Sequence, residues 1–211
     1  MSGQGDTQSV PRFRRERPDV RRKMLVEAAL VCLARDGIGG FTIDRICREA
    51  GVSRGLIGHY FGGKDGLLAE VYRGSLYGGV AQRGAGAGQE AEAPEVALMA
   101  IVDATFAPDF FDRKMVRVWL ALWDEIAGNP ALREVHRELY GGYRGRVAEA
   151  IAGVAVMRGR EVDTAALAQS FVALADGLWL EWSLDETAVD PVRAKAAAVA
   201  MLGAHLGPLK V

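Results

Sequence analysis

Four tryptophans lie in the second half of the chain, at spacings that place them in pairs on helix faces. Trp119 and Trp123 are four residues apart and Trp179 and Trp182 are three apart, so each pair shares one face of a helix. Aromatic faces beside a carboxylate such as Asp176 suit a quaternary ammonium, because this cation donates no classical hydrogen bond and must be held by ring quadrupoles and a counter-charge. We therefore expect a ligand site built from Trp119, Trp123, Tyr140, Asp176 and Trp179. The alternative is that these rings fill the core or an interface between subunits.

A second set of residues, near the N-terminus, has the spacing of a nucleic-acid reader. The segments 43–50 and 54–61 each follow a residue that can cap a helix, Thr42 and Ser53, and they are joined through Gly51. This is the size and turn of a helix-turn-helix, whose second helix enters the major groove of DNA. The surface facing DNA is then expected to hold Arg54, Gly55, Leu56, Gly58 and His59, with Tyr60 and Lys64 placed for phosphate contacts.

Charge is distributed unevenly along the chain, although the 211 residues together carry a formal net charge of only −1. Residues 1–80 hold 13 Lys and Arg against 9 Asp and Glu, whereas residues 81–211 hold 13 against 18. Seven cations fall between Arg12 and Lys23, and we expect Arg14 and Arg15 of this arm to contact DNA. The alternative is a solvated arginine-rich tail on a helical module that binds a protein partner.

The segments that position these residues are expected to be helical throughout. Apolar residues recur with a helical period, and no segment shows the sustained alternation of a strand, so the fold class is all-α. The first helix is expected to run from Pro18 to Gly37, and helices are predicted near 64–80, 95–107, 110–127, 131–157, 163–184 and 190–206. We predict an arginine-rich arm at 1–17, a three-helix helix-turn-helix domain at 18–63, a connecting helix at 64–83, a linker at 84–93 and a larger helical domain for ligand binding and dimerisation at 94–211.

Other functional classes find little support in the sequence. Cys32 and Cys47 lack a close cysteine partner and the three histidines are far apart, so we expect buried thiols, no metal site and no cofactor. No nucleophile motif or catalytic carboxylate pair stands out, so we expect no enzyme. Apolar stretches fall short of the roughly 18–20 residues of a membrane span, and the polar N-terminus has no apolar signal region, so a cytoplasmic protein is expected.

The run from Phe41 to Phe61, followed by Lys64-Asp65-Gly66-Leu67, resembles the TetR family of bacterial transcriptional regulators. The resemblance covers residues 20–72 and implies a homodimer on a palindromic DNA operator, most often a repressor that a small molecule releases. It implies a DNA-facing set of Thr42, Ser53, Arg54, Gly55, Leu56, His59, Tyr60 and Lys64, and a core that includes Ile46, Val52, Ile57 and Phe61. One sequence does not separate repression from activation, because that depends on where the operator lies.

The second half of the chain resembles the choline-responsive repressors of glycine-betaine synthesis, a branch of that family. The similar segments are Val118–Glu125, the turn at 129–132 and Asp176–Leu180. This resemblance implies choline or another quaternary ammonium as the effector, with an apolar or aromatic metabolite or a polyamine as alternatives. The last two helices, with alanine-rich stretches at 165–168 and 194–200, are expected to form the dimer interface.

Overall fold

The computed structural model describes residues 18–76, 93–108 and 111–209. In chain order the helices are α1 (Pro18–Gly40), α2 (Ile43–Ala50), α3 (Gly55–Phe61), α4 (Lys64–Leu76), α5 (Pro94–Thr105), α6 (Arg113–Gly128), α7 (Pro130–Met157), α8 (Thr164–Leu184) and α9 (Pro191–Leu206). No strand occurs within these ranges, and the predicted all-α class is confirmed. The predicted arm at 1–17 and all but one residue of the predicted linker at 84–93 lie outside the described residues.

Most helix starts follow from short polar side chains that cap free backbone N–H groups. The Thr42 hydroxyl accepts the N–H of Arg45 at 3.4 Å, and the Asp163 and Asp190 carboxylates each accept one backbone N–H at the starts of α8 and α9. The predicted Ser53 cap is wrong, since α3 begins at Gly55 with Arg54 at its N-cap and no capping hydrogen bond from a side chain. The start of α3 is instead held by the backbone carbonyl of Ser53, which accepts the N–H of Leu56 at 3.2 Å.

The first helix runs three residues further than its sequence indicated. Gly37 has φ of 62°, the left-handed conformation expected where a helix ends, yet a further helical stretch continues to Gly40. The apolar residues of this helix recur at helical spacing and lie on one buried face, which comprises Leu25, Ala28, Ala29, Cys32 and Leu33. This face is the centre of the N-terminal core.

The N-terminal helices pack directly on the C-terminal ones. Helix α1 contacts α2 and α4, and it also lies along α6; helix α4 contacts α3 on one side and α7 on the other. Helix α7 in turn packs on α5 and α8, and α9 packs on α8. The buried side chains form one continuous cluster, from Leu25 in α1 to Leu206 in α9. Two packed contacts, α1 on α6 and α4 on α7, therefore join the two parts of the protein.

Helix α4 approaches the end of α3 closely at Gly66. A Cβ atom built on Gly66 lies 1.8 Å from the carbonyl oxygen of Phe61, which is backbone and has little freedom to move. By contrast, a Cβ atom on Gly74 in the same helix meets no atom within 4 Å. The absent side chain at Gly66 is therefore what allows α4 to begin so soon after α3.

We expect Gly66→Ala to lower the free energy of unfolding by about 1–3 kcal/mol, because relieving the contact with Phe61 requires a backbone shift. The matched control Gly74→Ala places a methyl group in open space, and it should raise the same quantity by roughly 0.5–1 kcal/mol through its better helix propensity. Urea denaturation followed by circular dichroism measures both. Equal stability of the two variants would contradict this account of the α3–α4 junction.

Candidate DNA-binding and ligand-binding sites

Helices α2 and α3 present a polar surface on the outside of the N-terminal part. Ile46 and Ile57 are fully buried and fix the two helices against the core. On the outer side, Thr42, Ser53, Arg54, Gly55, Gly58, His59 and Lys64 are exposed. Leu56 and Tyr60 are only partly exposed and pack against the core. Arg14 and Arg15 lie outside the described residues.

The cations of this surface are held loosely and stay available to a ligand. Arg54 makes an ion pair of 2.7 Å with Asp44, and both side chains are more than half exposed. Such pairs contribute little to stability, so the Arg54 guanidinium can exchange Asp44 for a phosphate or a base edge at low cost. The Nζ atom of Lys64 lies 6.0 Å from the ring centroid of Phe41, at the first residue of α4.

Packing within the protein does not require glycine at two glycine positions of α3. A Cβ atom built on Gly55 or Gly58 meets no atom within 4 Å, so alanine would fit at either position. Glycine in a helix costs roughly 0.5–1 kcal/mol relative to alanine. The cost brings no packing advantage inside the protein, and it leaves the outer face of α3 low and open to the close approach of another molecule.

In the C-terminal part, three of the four tryptophans form one packed cluster. Trp119 and Trp123 from α6 meet Trp179 from α8, with ring centroids 5.8 to 6.3 Å apart and all three pairs in edge-to-face geometry. Trp182 lies apart from them and packs edge-on against Phe111 at 5.3 Å. At these distances the three rings fill the space between one another, so a ligand can reach them only from outside the cluster.

Two of these indoles keep a polar group without a protein partner. The Nε1–H groups of Trp119 and Trp123 are buried, and no acceptor for either lies among the described residues. Buried donors are nearly always hydrogen-bonded, and leaving one unpaired costs about 1–3 kcal/mol. Within the described residues, these two donors therefore lack the partner that buried donors usually have.

A cavity of about 340 Å³ lies beside the tryptophan cluster, between α6, α7 and α8. Of the five residues expected to bind a ligand, Trp123, Tyr140 and Asp176 line it, whereas Trp119 and Trp179 lie behind Trp123. The remaining lining residues are Ile126, His136, Arg144, Gln169, Val172 and Ala173. The volume is within the usual range for small-molecule sites.

The spacing of three residues on α7 could have predicted part of this lining from the sequence, but our prediction was based on the tryptophans. His136, Tyr140 and Arg144 are spaced four residues apart on α7, so they form one stripe on the helix. The His136 and Tyr140 rings stack with centroids 4.4 Å apart, and the Arg144 guanidinium lies 6.0 Å from the Tyr140 ring centroid. Tyr143, by contrast, hydrogen-bonds to Thr105 on α5 at 2.6 Å.

Asp176 is the acidic group of the cavity, and its surroundings disfavour its charge. Burial raises the pKa of Asp176 from 3.8 to about 6, against the opposing effects of a hydrogen bond from Tyr140 and of the Arg144 charge. That hydrogen bond is long, with 3.4 Å between the Tyr140 hydroxyl and the carboxylate. Within the described residues Asp176 makes no ion pair. A partly desolvated carboxylate of this kind gains from a cationic ligand.

Tyr72 connects this cavity to the N-terminal helices. The side chain of Tyr72 on α4 is fully buried, packs edge-on against Trp119 at 5.9 Å and places its hydroxyl 2.6 Å from Nδ1 of His136. Burial raises the pKa of Tyr72 and lowers the pKa of His136, so both groups are neutral near pH 7 and the hydroxyl donates to Nδ1. The cavity wall and α4 therefore share a hydrogen bond.

The described residues include neither a metal-binding cluster nor a helix suited to cross a membrane. Within residues 18–76, 93–108 and 111–209 no group of three His, Cys, Asp or Glu side chains is placed to hold a metal ion. Cys32 and Cys47 are buried free thiols, and burial raises the pKa of each. In the same ranges no helix combines the length and apolar character needed to cross a membrane.

Comparison with known families accounts for most of the chain. Residues 25–71 match the profile described as bacterial regulatory proteins, tetR family, and residues 94–207 match the profile described as BetI-type transcriptional repressor, C-terminal. The HTH-type transcriptional regulator BetI 1 of Chromohalobacter salexigens is 32% identical over 186 residues, which cover 85% of this chain and 87% of that protein.

Solved structures have the same fold. A transcriptional regulator from Pseudomonas aeruginosa PAO1 superposes with a TM-score of 0.80 at 34% identity, covering 90% of this chain and 92% of that one. A regulator from Saccharomonospora viridis, crystallised in complex with choline, has a TM-score of 0.70 at 24% identity and covers 85% of this chain and 94% of that one. The chain therefore belongs to the TetR family of bacterial transcriptional regulators and has a C-terminal domain of the BetI type.

Proposed function

We propose that the protein is a homodimeric repressor that binds a palindromic operator through α3 and is released when a quaternary ammonium compound occupies the cavity beside Trp123. The observation that carries the ligand part is Asp176, a partly buried carboxylate that lines an aromatic cavity and makes no ion pair with any described residue. The BetI-type relatives support the repressor part, and the choline complex of the Saccharomonospora viridis regulator, a protein with the same fold, supports the ligand class.

For DNA binding, α3 is the element that enters the major groove. Its outer face combines the exposed Arg54 and His59 with the open positions at Gly55 and Gly58, so backbone and side chains can both approach base edges. Thr42 and Lys64 lie at the starts of α2 and α4, where they are placed to contact phosphates on either side. A two-fold dimer brings two such helices to successive major grooves, about 34–36 Å apart.

For dimerisation, α8 and α9 offer faces of small residues. The exposed side of α8 carries Ala166, Gln169, Ser170, Ala173 and Gly177, and that of α9 carries Ala196, Ala197, Ala200 and Ala204. Small residues let two helix pairs approach closely across a two-fold axis. Gln169 and Ala173 also line the cavity, so the proposed interface borders the proposed ligand site. A ligand there is well placed to change the angle between the two subunits.

For ligand recognition, the cavity provides aromatic faces and a counter-charge for a permanent cation. The rings of Trp123, Tyr140 and His136 surround the space, and cation–π attraction contributes about 0.5–2 kcal/mol per favourable face. Asp176 supplies the counter-charge. Because Asp176 is the one carboxylate among the described lining residues, the cavity suits a single positive charge better than a polyamine.

Release requires that the ligand favours a conformation that binds DNA poorly. The ligand contacts His136, and His136 accepts a hydrogen bond from Tyr72 on α4, the helix that follows the recognition helix. A shift of the α7 stripe therefore moves α4 and the attached α3. The free energy of this coupling sets how far the ligand weakens operator binding.

The DNA contacts predict two different variant phenotypes. With a duplex enriched by the protein from a random-sequence pool, affinity should fall steeply with salt, and Arg54→Ala with Lys64→Ala should reduce the slope of log K against log salt by about 2. Gly58→Ala should leave the slope intact and raise the thermal stability slightly through better helix propensity, while lowering affinity at least tenfold by obstructing close approach. Arg133→Ala, an exposed arginine on α7, is the control for charge alone. Absence of duplex binding at low salt would favour a protein-interaction module instead.

The cavity predicts pH-dependent binding of choline, followed by tryptophan fluorescence with the uncharged isostere 3,3-dimethyl-1-butanol as control. Choline should quench saturably, and its affinity should rise between pH 5 and 7.5 as Asp176, with a pKa of about 6, becomes ionised. The isostere should give no saturable change. The folding stability of the free protein should depend on pH in the opposite direction. Because the pKa of Asp176 in the folded protein lies above 3.8, the stability contributed by its protonated carboxyl is lost as pH rises through 6.

Asp176→Asn separates the effect of this carboxylate from that of His136, a second titratable group of the cavity, whose pKa is lowered by burial and by the Arg144 charge. The variant should lose most of the choline affinity and most of its pH dependence. A variant that keeps the full pH dependence would assign the effect to His136. Equal binding of choline and its isostere would instead favour an apolar effector.

A further inference from the structure

The cavity contains a positively charged side chain, Arg144, that a purely cationic ligand would not neutralise. Arg144 lies on α7, one turn after Tyr140, and its side chain lines the same space as Asp176. The residue is partly buried, and it forms no ion pair with any described residue, Asp176 included. A ligand such as choline would meet the attraction of Asp176 and the repulsion of Arg144 together.

Arg144 acts electrostatically on the other groups of the cavity. Its charge lowers the pKa of Asp176 and also lowers the pKa of His136, so the guanidinium is close enough to influence both. Protonation of His136 is disfavoured by burial as well, which leaves Arg144 as the one full positive charge among the described residues of the lining. An anion is therefore attracted to the Arg144 side of the cavity and a cation to the Asp176 side.

The polar groups at the cavity suit an acceptor on the ligand. Gln169 contributes an amide at the exposed edge, and the Arg144 guanidinium presents N–H donors to the same space. A quaternary ammonium group carries no hydrogen-bond acceptor for either. Carboxylate and phosphate oxygens accept hydrogen bonds from N–H groups and pair with arginine in a planar, two-point geometry.

We propose that the effector is a zwitterion, in which a quaternary ammonium is joined by a short spacer to a carboxylate or phosphate that binds Arg144. This inference rests on the proposed ligand site and names the chemistry of its second end. The ammonium lies against Trp123 and Tyr140 beside Asp176, and the anionic group meets Arg144. Each charge of the cavity then has a partner of opposite sign, and the complex carries no uncompensated charge from the ligand.

The test compares three small molecules on the full-length protein by fluorescence titration and calorimetry at pH 7.5. Trimethylglycine carries both charges, choline carries only the cation, and 3,3-dimethylbutanoate carries only the carboxylate. Wild-type protein should bind trimethylglycine at least tenfold more tightly than either of the others. Phosphocholine, measured in parallel, identifies whether carboxylate or phosphate is the preferred anion.

Arg144→Gln supplies the decisive variant, and Arg137→Gln on the exposed side of α7 is its matched control. Arg144→Gln should lower the affinity for trimethylglycine and phosphocholine at least tenfold while leaving choline affinity equal or higher; Arg137→Gln should change none of them. Choline binding tighter than both zwitterions, unaffected by Arg144→Gln, would overturn the zwitterion and leave the cation site standing. Binding of none of the compounds, or of dimethylbutanoate alone, would overturn the proposed cation site itself.

Discussion

The burial of one phenol between the two parts of the protein constrains much of the remaining structure. Tyr72 is fully buried, and its hydroxyl finds its partner in His136 only while α4 and α7 keep their present register. An unpaired buried hydroxyl costs about 1–3 kcal/mol, so displacement of either helix is opposed by that amount. Its ring also packs against Trp119, which belongs to α6, the helix on which α1 lies. The recognition helix and the cavity wall are thus positioned by the same few contacts.

The cavity is the place where this well-packed protein departs from the rules of a stable core. A carboxylate and a guanidinium line it without an ion pair to any described residue, and two nearby indole N–H groups have no acceptor in the same part of the chain. The unpaired charges cost stability in the free protein, and a ligand of complementary charge would offset that cost. The glycines at the open positions of α3 also cost stability, because glycine has a lower helix propensity than alanine. Their missing side chains leave the outer surface of the helix open to the approach of another molecule. If both proposed sites are used, binding at each would partly relieve a cost that is already present in the free protein.

Local signals in the sequence were sufficient for the helices, and they failed where the outcome depends on packing. Caps at Thr42, Asp163 and Asp190 gave the helix starts because an N-cap is a contact within one turn. The start of α3 was missed because Ser53 does not reach a free N–H there. Pair spacing correctly placed Trp119 and Trp123 on one face, but whether the indoles enclose a ligand or one another depends on how α6 meets α8, which spacing does not specify. Arg144 was not predicted as a site residue. Its helical spacing with His136 and Tyr140 does not show by itself that the three side chains line the same cavity as Asp176, which lies on another helix.

We propose that ligand and operator compete through Tyr72. The most direct test is to titrate trimethylglycine or choline, whichever binds more tightly, into the free protein and into the protein saturated with its selected duplex. Affinity should be lower with duplex bound, by the same factor by which the ligand weakens duplex binding. Tyr72→Phe should shrink both factors together while leaving each separate affinity nearly unchanged. Equal ligand affinity in the two titrations, or full coupling in Tyr72→Phe, would contradict the account.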